Sequence, residues 1–199
     1  MRLHVLLAVV LSIVFTSQAW AGVEQVSLEI KGLACPFCVF NIEKRIKTLE
    51  GVPEDAEFET DFDRGVVHFR WKPEVSLEPP ALHEEVRRAG FTLDTIRLTF
   101  AGEAASDDEV LRVSSSANDH FIVVRAGTEE EHEAQFEALS EHIEQQPEMV
   151  RVIGAVEQDE DGEPAEDDEH EGRGWHLRLH EWMPVEPEEG DNDEDKDEA

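Results

Sequence analysis

The stretch Gly32–Cys38 reads GLACPFC, and the patterns on either side of it decide the fold. Before it, residues 23–31 alternate apolar and polar side chains, which predicts a half-buried strand. After it, apolar residues recur at helical spacing from Val39 to Leu49, and Gly51 ends the predicted helix. The two cysteines therefore stand in a loop between a strand and a helix, at the N-terminal end of that helix.

Four more segments follow the first helix. Two short strands, 56–61 and 66–71, flank a turn that contains Asp and Gly, which predicts a hairpin. Pro79 begins a second predicted helix that ends at Gly90, and residues 91–100 form a last strand. The order βαββαβ is the ferredoxin-like arrangement, in which two helices cover one face of a four-stranded antiparallel sheet. We therefore predict an α+β fold.

Residues 103–184 predict a smaller α+β unit with the order ββαββ. Its segments are the strands 109–114, 120–125, 149–156 and 175–182 and the helix 129–143. This order resembles a reduced OB-type fold or another small α+β module. We expect two domains, 22–102 and 103–184, with an acidic loop at 157–174 inside the second.

The charge of the chain is strongly negative, with 48 acidic residues against 17 basic ones and a formal net charge of -31. Nucleic acid and anionic lipid are excluded as partners, because both require clustered Lys and Arg. Acidic blocks at 157–172 and 186–199 predict a solvated loop and a disordered tail that begins at 185. A surface adapted to high salt explains the rest of the acid excess as well as a functional role does.

The first 21 residues have the pattern of a secretory signal peptide. A short basic start precedes the apolar run 5–15, and Ala19-Trp20-Ala21 has the A-x-A arrangement of a cleavage site. The apolar core of about 11 residues is too short for a lasting membrane anchor. We expect cleavage after Ala21, a periplasmic or secreted location, and no stable membrane anchor.

Cys35 and Cys38 are the only cysteines, and they lie three positions apart. A disulfide is the ordinary expectation in an exported protein, but a bridge this short restricts the unfolded chain little. The C-x-x-C spacing is typical of metal binding or of thiol exchange, and a helix N-terminus lowers the pKa of thiols placed there. Two soft thiolates suit Cu(I), and by extension Hg(II), better than Zn(II), which prefers four ligands.

A family resemblance rests on GLACPFC at 32–38 together with Ile42–Lys44, Gly51-Val52 and Ala89–Phe91. These residues resemble the heavy-metal-associated domain of copper chaperones, soft-metal ATPases and periplasmic mercury-binding proteins, over residues 23 to about 100. The resemblance implies that Cys35 and Cys38 bind the ion as cargo. It also implies transfer by thiolate exchange to a metal transporter or a cuproprotein acceptor.

The chain departs from the family pattern at three positions beside the cysteines. Gly32 matches the pattern and lets the loop turn, whereas Leu33 stands where the family usually has a buried Met. Leu should preserve that packing, since the two side chains are near in volume. Phe91 stands where bacterial members often have Tyr and supplies no hydroxyl, and Pro36 stiffens the loop. These departures bear on which metal is preferred more than on whether metal is bound.

Two other interpretations of the cysteine pair stay open. C-P-x-C at a helix start is also typical of thioredoxin-like dithiol oxidoreductases, although the hairpin after the first helix opposes that fold. The pair could instead be an inert disulfide in a non-catalytic interaction module that binds through residues 103–184. We predict a monomeric binding protein with no catalytic residues and no organic cofactor, because no nucleophile elbow, phosphate loop or H-E-x-x-H motif occurs in the sequence.

Three histidines predict a weaker, secondary metal site. His176 and His180 share one face of a predicted strand, since residues i and i+4 of a strand lie on the same side. His170 lies among the carboxylates of residues 167–171. Together they would suit Cu(II), Ni(II) or Zn(II).

Overall fold

The computed structural model describes residues 21–107, 110–117, 121–124, 130–145, 149–157 and 175–185. Apart from Ala21, the predicted signal peptide 1–21 lies outside these ranges. The acidic loop 157–174 after Glu157, including His170, and the tail 185–199 after Val185 also lie outside them. Within the described part of the chain, no helix is both long and apolar enough to span a bilayer.

The described residues form eight strands and three helices in the predicted order. The elements are β1 (Gly22–Lys31), α1 (Pro36–Ile46), β2 (Glu59–Asp61), β3 (Val66–Arg70), α2 (Pro79–Arg88), β4 (Thr92–Asp107), β5 (Val110–Ser114), β6 (Phe121–Val124), α3 (Glu130–Gln145), β7 (Met149–Glu157) and β8 (Trp175–Pro184). Most ends differ from the predicted ones by one to three residues; β4 is the main exception and is longer than predicted.

Strands β1 to β4 pair in the order β2-β3-β1-β4, and all of these pairings are antiparallel. The helices α1 and α2 contact each other and bury their apolar residues in the same core as the sheet. Val39, Ile42 and Ile46 of α1 are buried, as the helical spacing predicts. Burying each such side chain stabilises the fold by about 1.5–3 kcal/mol. This half of the structure is consistent with the predicted ferredoxin-like domain.

Polar contacts fix α1 against α2. The side-chain amide of Asn41 donates to the backbone carbonyl of Ala89, with an N–O distance of 3.1 Å. Glu85 of α2 is a buried carboxylate that accepts from Arg88 at 2.6 Å and lies 3.9 Å from a guanidinium nitrogen of Arg45 in α1. A buried charge is tolerated because cations pair with it. These contacts hold the helix that carries the cysteine loop.

Strand β4 continues past the predicted end at Phe100 and crosses the predicted domain boundary at 102/103. The sequence of residues 101–107 is small and polar, so it carries little strand signal of its own. The extension exists because it has partners: residues 97–103 pair with β7, and residues 103–107 pair with β5. The strand prediction was therefore too short, while the division at residue 102 stays a prediction.

The second half of β4 and the four later strands pair in a closed ring. β4 pairs with β5, β5 with β6, β6 with β8, β8 with β7, and β7 again with β4. The β6–β8 pairing is parallel and the others are antiparallel. Helix α3 packs against β4 and β8 and buries Phe136, Leu139 and Ile143.

A two-pronged ion pair joins β1 to β7 across β4. The guanidinium of Arg151 donates from Nε to Glu24 Oε2 at 2.7 Å and from Nη2 to Glu24 Oε1 at 2.9 Å. The hydrogen bond to Glu24 raises the pKa of Arg151, because it favours the charged guanidinium. Residues 127 positions apart in sequence are thereby linked.

Candidate metal centre

The loop that carries the cysteines leaves β1 at Lys31 and turns at Gly32. Gly32 has a φ of 79°, in the left-handed region that favours glycine. Leu33 is only 3% exposed and belongs to the hydrophobic core, so it anchors the loop from inside. Cys35 has extended backbone geometry and forms the N-cap of α1, and Pro36 occupies the first turn. The predicted position of the pair at a helix start is confirmed.

Cys35 and Cys38 are joined by a disulfide, with their Cα atoms 5.2 Å apart, and both are half-buried. The sulfur of Cys35 accepts a hydrogen bond from the backbone N–H of Cys38 at 3.1 Å. The backbone carbonyl of Cys35 accepts from the N–H groups of Cys38 and Val39 at 3.0 and 3.2 Å. Both sulfurs therefore lie together at the N-terminal end of α1, near the surface.

The oxidation state determines what this pair can do. A disulfide does not titrate, so the predicted lowering of the thiol pKa applies to the reduced pair. After reduction, the N–H of Cys38 and the positive end of the α1 dipole would favour the thiolate at Cys35. Thiolates are the form of cysteine that binds soft metal ions and that attacks disulfides. The same two sulfurs can therefore support either chemistry, but only when reduced.

Phe91 and the β2–β3 hairpin lie at the end of the sheet where β1 leads into the cysteine loop. Phe91 is half-buried against the core and immediately precedes Thr92, which pairs with Lys31 in the sheet register. Gly65 of the β2–β3 hairpin accepts a backbone hydrogen bond from Ile30 at 2.8 Å. Leu33 is buried in the core. The roles of Gly32, Leu33 and Phe91 beside the metal stay predictions.

Two exposed phenylalanines stand beside the cysteines, and the sequence analysis missed them. Phe37 is 80% exposed and Phe40 is 61% exposed, with their ring centroids 6.4 Å apart. The helical spacing in the sequence could have predicted their exposure, because neither Phe37 nor Phe40 falls on the buried face of α1.

The secondary histidine site stays a prediction. His176 is buried at 6% exposure and His180 is half-buried, both on β8. The register between β7 and β8 passes from Leu179 to Glu181, so His180 falls at an irregularity. His170 lies outside the described residues. In the described ranges, no three His, Cys, Asp or Glu side chains come close enough to hold a metal ion.

A polar cavity of about 260 Å³ is lined by strands β1 to β4 and the β2–β3 turn, and the sequence analysis did not predict it. Its lining residues are Glu29, Asp61, Arg64, Val66, His68 and Arg97. Beside it, the hydroxyl of Ser27 lies 2.7 Å from His68 Nδ1. The cavity lining contains no cysteine, so this cavity is separate from the metal loop.

Comparison with known proteins gives a match in the first part of the chain. Residues 27–92 match the family model of the heavy-metal-associated domain, and the predicted resemblance is confirmed over that range. Among solved structures, the chain is similar to the N-terminal domain of ZntA in the apo form, determined in solution. The identity is 16% and the TM-score 0.31, over 37% of this chain and 92% of that one. No curated protein matches the chain.

Proposed function

We propose that this protein binds one soft heavy-metal ion, Cu(I) or Hg(II), through the thiolates of Cys35 and Cys38 and acts as a metallochaperone or scavenger. The observation that carries the proposal is the position of both sulfurs, side by side at the N-terminus of α1 in a heavy-metal-associated domain. Domains of this family are generally metal-binding modules rather than catalysts.

The geometry of the pair supports one ion held between two sulfurs. The Cα atoms of the pair are 5.2 Å apart, with Cys35 at the N-cap of α1 and Cys38 in its first turn. Reduction frees both sulfurs to act as thiolate ligands. Two thiolate ligands suit ions that accept low coordination, such as Cu(I).

The sequence supports a proposal for the location, and the family match supports one for the partner. We propose that the protein is exported and is periplasmic or secreted, because its first 21 residues have a signal-peptide pattern. Heavy-metal-associated domains commonly interact with metal transporters or acceptor proteins. A metal transporter or a cuproprotein is therefore the partner that we propose.

A second candidate function is thiol–disulfide exchange. It is favoured by the disulfide itself, which stands at a helix N-terminus where a reduced thiol would be reactive. The antiparallel hairpin after α1 opposes a thioredoxin-like fold. An inert disulfide is the remaining alternative.

We also infer that the strand ring formed by β4 to β8, with α3 between β6 and β7, is a small OB-type barrel. The closed pairing of five strands supports this inference, since an OB-fold is a five-stranded Greek-key barrel. The acidic composition opposes nucleic acid as its ligand.

Anaerobic titration of the reduced protein with Cu(I), in the presence of a competing chelator, tests the proposal. We expect one tight equivalent that is lost in Cys35→Ser and Cys38→Ser and retained in Phe62→Ala, an exposed substitution on the β2–β3 hairpin. Turnover of a disulfide substrate without metal would instead favour thiol exchange. Neither metal affinity nor turnover would indicate an inert disulfide.

A further inference from the structure

The polar cavity lies on the face of the ferredoxin-like sheet that is turned away from α1 and α2. Along β1, the side chains of Val26, Leu28 and Ile30 are buried in the core that the sheet shares with these helices. Successive side chains of a strand point to opposite faces, so Ser27 and Glu29 lie on the other face. Glu29 lines the cavity, and Ser27 lines a small adjoining pocket. The cavity is therefore open to a polar ligand on a face that the helices do not cover.

The sheet register brings donors from two strands to either side of Ser27. His68 of β3 and Arg97 of β4 are its cross-strand partners. The hydroxyl of Ser27 lies 2.7 Å from His68 Nδ1. When this hydroxyl donates to Nδ1, the neutral imidazole carries its proton on Nε2 and can donate from there. A guanidinium and an imidazole thus border the same cavity.

Arg97 has no acceptor within the protein for part of its guanidinium. In the described residues, its Nε is buried without a hydrogen-bond partner, and the side chain forms no ion pair. Its register neighbours are Ser27 on β1 and Ala155 on β7, so neither adjoining strand places an acid directly beside it. A half-buried cation without a counter-ion is costly, and a carboxylate suits it because the guanidinium can bind both carboxylate oxygens. The cavity therefore offers a place for a carboxylate.

Two acids line the cavity, and they differ in what holds them. Asp61 Oδ1 accepts from the backbone N–H groups of Asp63 and Arg64 at 3.0 and 3.1 Å, and Oδ2 lies 3.8 Å from Arg64 Nε. Glu29 is exposed, and among the described residues its carboxylate has neither a hydrogen bond nor an ion pair. Glu29 and Arg97 are diagonal neighbours in the register of β1 and β4, which places their Cα atoms about 7–8 Å apart. One unpaired acid and one unpaired base can therefore be bridged by one small molecule.

We propose that this cavity binds a small zwitterion with one carboxylate and one ammonium group, of the class of free amino acids. The carboxylate pairs with Arg97 and accepts from His68, and the ammonium pairs with Glu29. A simple anion would be repelled by Glu29 and Asp61, and a simple cation by Arg97 and Arg64. The volume of about 260 Å³ lies below the range of about 300–1,000 Å³ that is usual for drug-sized ligands, so the ligand is small. The cavity lining contains no cysteine, so the proposal does not depend on metal binding.

Three probes of similar size separate the two charges. L-Alanine carries both groups, propionate lacks the ammonium, and ethylamine lacks the carboxylate. Each is titrated into the isotope-labelled full chain, with its disulfide intact, and followed by NMR. We expect L-alanine to bind in the millimolar range and about tenfold more tightly than either of the other probes, because each of them loses one charge-assisted contact. The shifts should fall on Glu29, His68 and the Nε–H group of Arg97. Equal binding of L-alanine and propionate, shifts elsewhere, or no saturable binding would overturn the proposal.

Matched substitutions assign the two charges of the ligand. Arg97→Gln should weaken L-alanine about tenfold and remove its advantage over ethylamine, and Glu29→Gln should weaken it about as much and remove its advantage over propionate. Arg70→Gln is the control for the first variant, because Arg70 lies on the same sheet face two residues from His68, is exposed, and does not line the cavity. Glu57→Gln, at another exposed position outside the lining, is the control for the second. Equal losses in the cavity variants and their controls would contradict the assignment.

The outcome is decided even where one variant does not fold. Urea unfolding checks each variant, and if Arg97→Gln is unfolded, Glu29→Gln and the comparison of the three probes on the natural protein still test the site. Failure of Cu(I) binding would contradict the proposed function alone. Failure of L-alanine binding would overturn the zwitterion site alone, since no cysteine takes part in it.

Discussion

Two glycines with positive φ support the cysteine loop at the scale of single residues. Gly32, with φ 79°, turns the chain after β1, and Gly65, with φ 69°, turns it between β2 and β3. A side chain at Gly32 would meet no atom within 4 Å, whereas a Cβ at Gly65 would lie 2.8 Å from the carbonyl oxygen of Ile30. A side chain would be strained by the positive φ at both positions, but it would also clash with a neighbouring atom only at Gly65.

Substitution of these glycines should have graded effects on stability. Gly32→Ala should cost about 1–2 kcal/mol, the penalty for placing an L-residue in the left-handed region. Gly65→Ala should cost more, because the added methyl group also clashes with the backbone of β1. Urea unfolding of both variants measures the difference. An equal loss would show that the contact with Ile30 relaxes freely.

At the scale of elements, the sequence predicts best where the signal is local. The helical spacing of Val39, Ile42 and Ile46 predicts α1 and places the cysteines at its start, after β1. Pro36, which was expected to stiffen the loop, lies in the first turn of α1. The extension of β4 past Phe100 could not be predicted, because it depends on pairing with β5 and β7. The exposure of Phe37 and Phe40 and the oxidation state of the cysteines also require three-dimensional information.

The close pairing of the extended β4 with β5 predicts the effect of a substitution at Gly102 on stability. A Cβ there would lie 2.4 Å from the carbonyl oxygen of Ser114, so Gly102→Ala should destabilise the protein by about 1–3 kcal/mol through overpacking. Ala105→Ser, at an exposed position of the same strand, is the control and should change little. Thermal unfolding followed by circular dichroism compares them; equal stability of both variants would contradict the close pairing of β4 with β5.

Glu84 on helix α2 should contribute to the loss of stability at acid pH. The hydrogen bond from Arg87 is the main cause that lowers the pKa of Glu84 below its usual value of 4.5. A carboxylate with a lowered folded-state pKa adds stability above its unfolded pKa and loses it as pH falls through the folded value. The stability difference between the natural protein and Glu84→Gln should therefore be constant at neutral pH and vanish below the folded pKa. If the stability difference between the natural protein and Glu84→Gln grows as the pH falls, Glu84 does not stabilise the fold through its lowered pKa.

At the scale of the whole molecule, β4 is shared by the ferredoxin-like sheet and the strand ring, and Glu24 and Arg151 bridge its two neighbours. A bidentate, charge-assisted ion pair is stronger than a single neutral hydrogen bond. Both side chains are about one third exposed, however, so solvent screens the attraction between them. The ion pair should therefore contribute modestly to stability, while the shared strand couples the two halves.

Removal of this bridge should test the coupling. We expect Glu24→Gln to lower the free energy of unfolding by about 1 kcal/mol or less, and Arg151→Lys to lower it as well, because Lys cannot make the paired contact. Unfolding should remain a single transition when it is followed by two probes, one in each half. Two separated transitions would contradict a coupled structure.

X-ray absorption spectroscopy of the reduced protein loaded with one equivalent of Cu(I) shows directly which atoms hold the ion. If Cys35 and Cys38 both bind it, two sulfur scatterers should surround the ion in the natural protein, and that shell should be lost in Cys35→Ser and in Cys38→Ser. A shell of nitrogen or oxygen ligands, or a sulfur shell that survives either substitution, would contradict it.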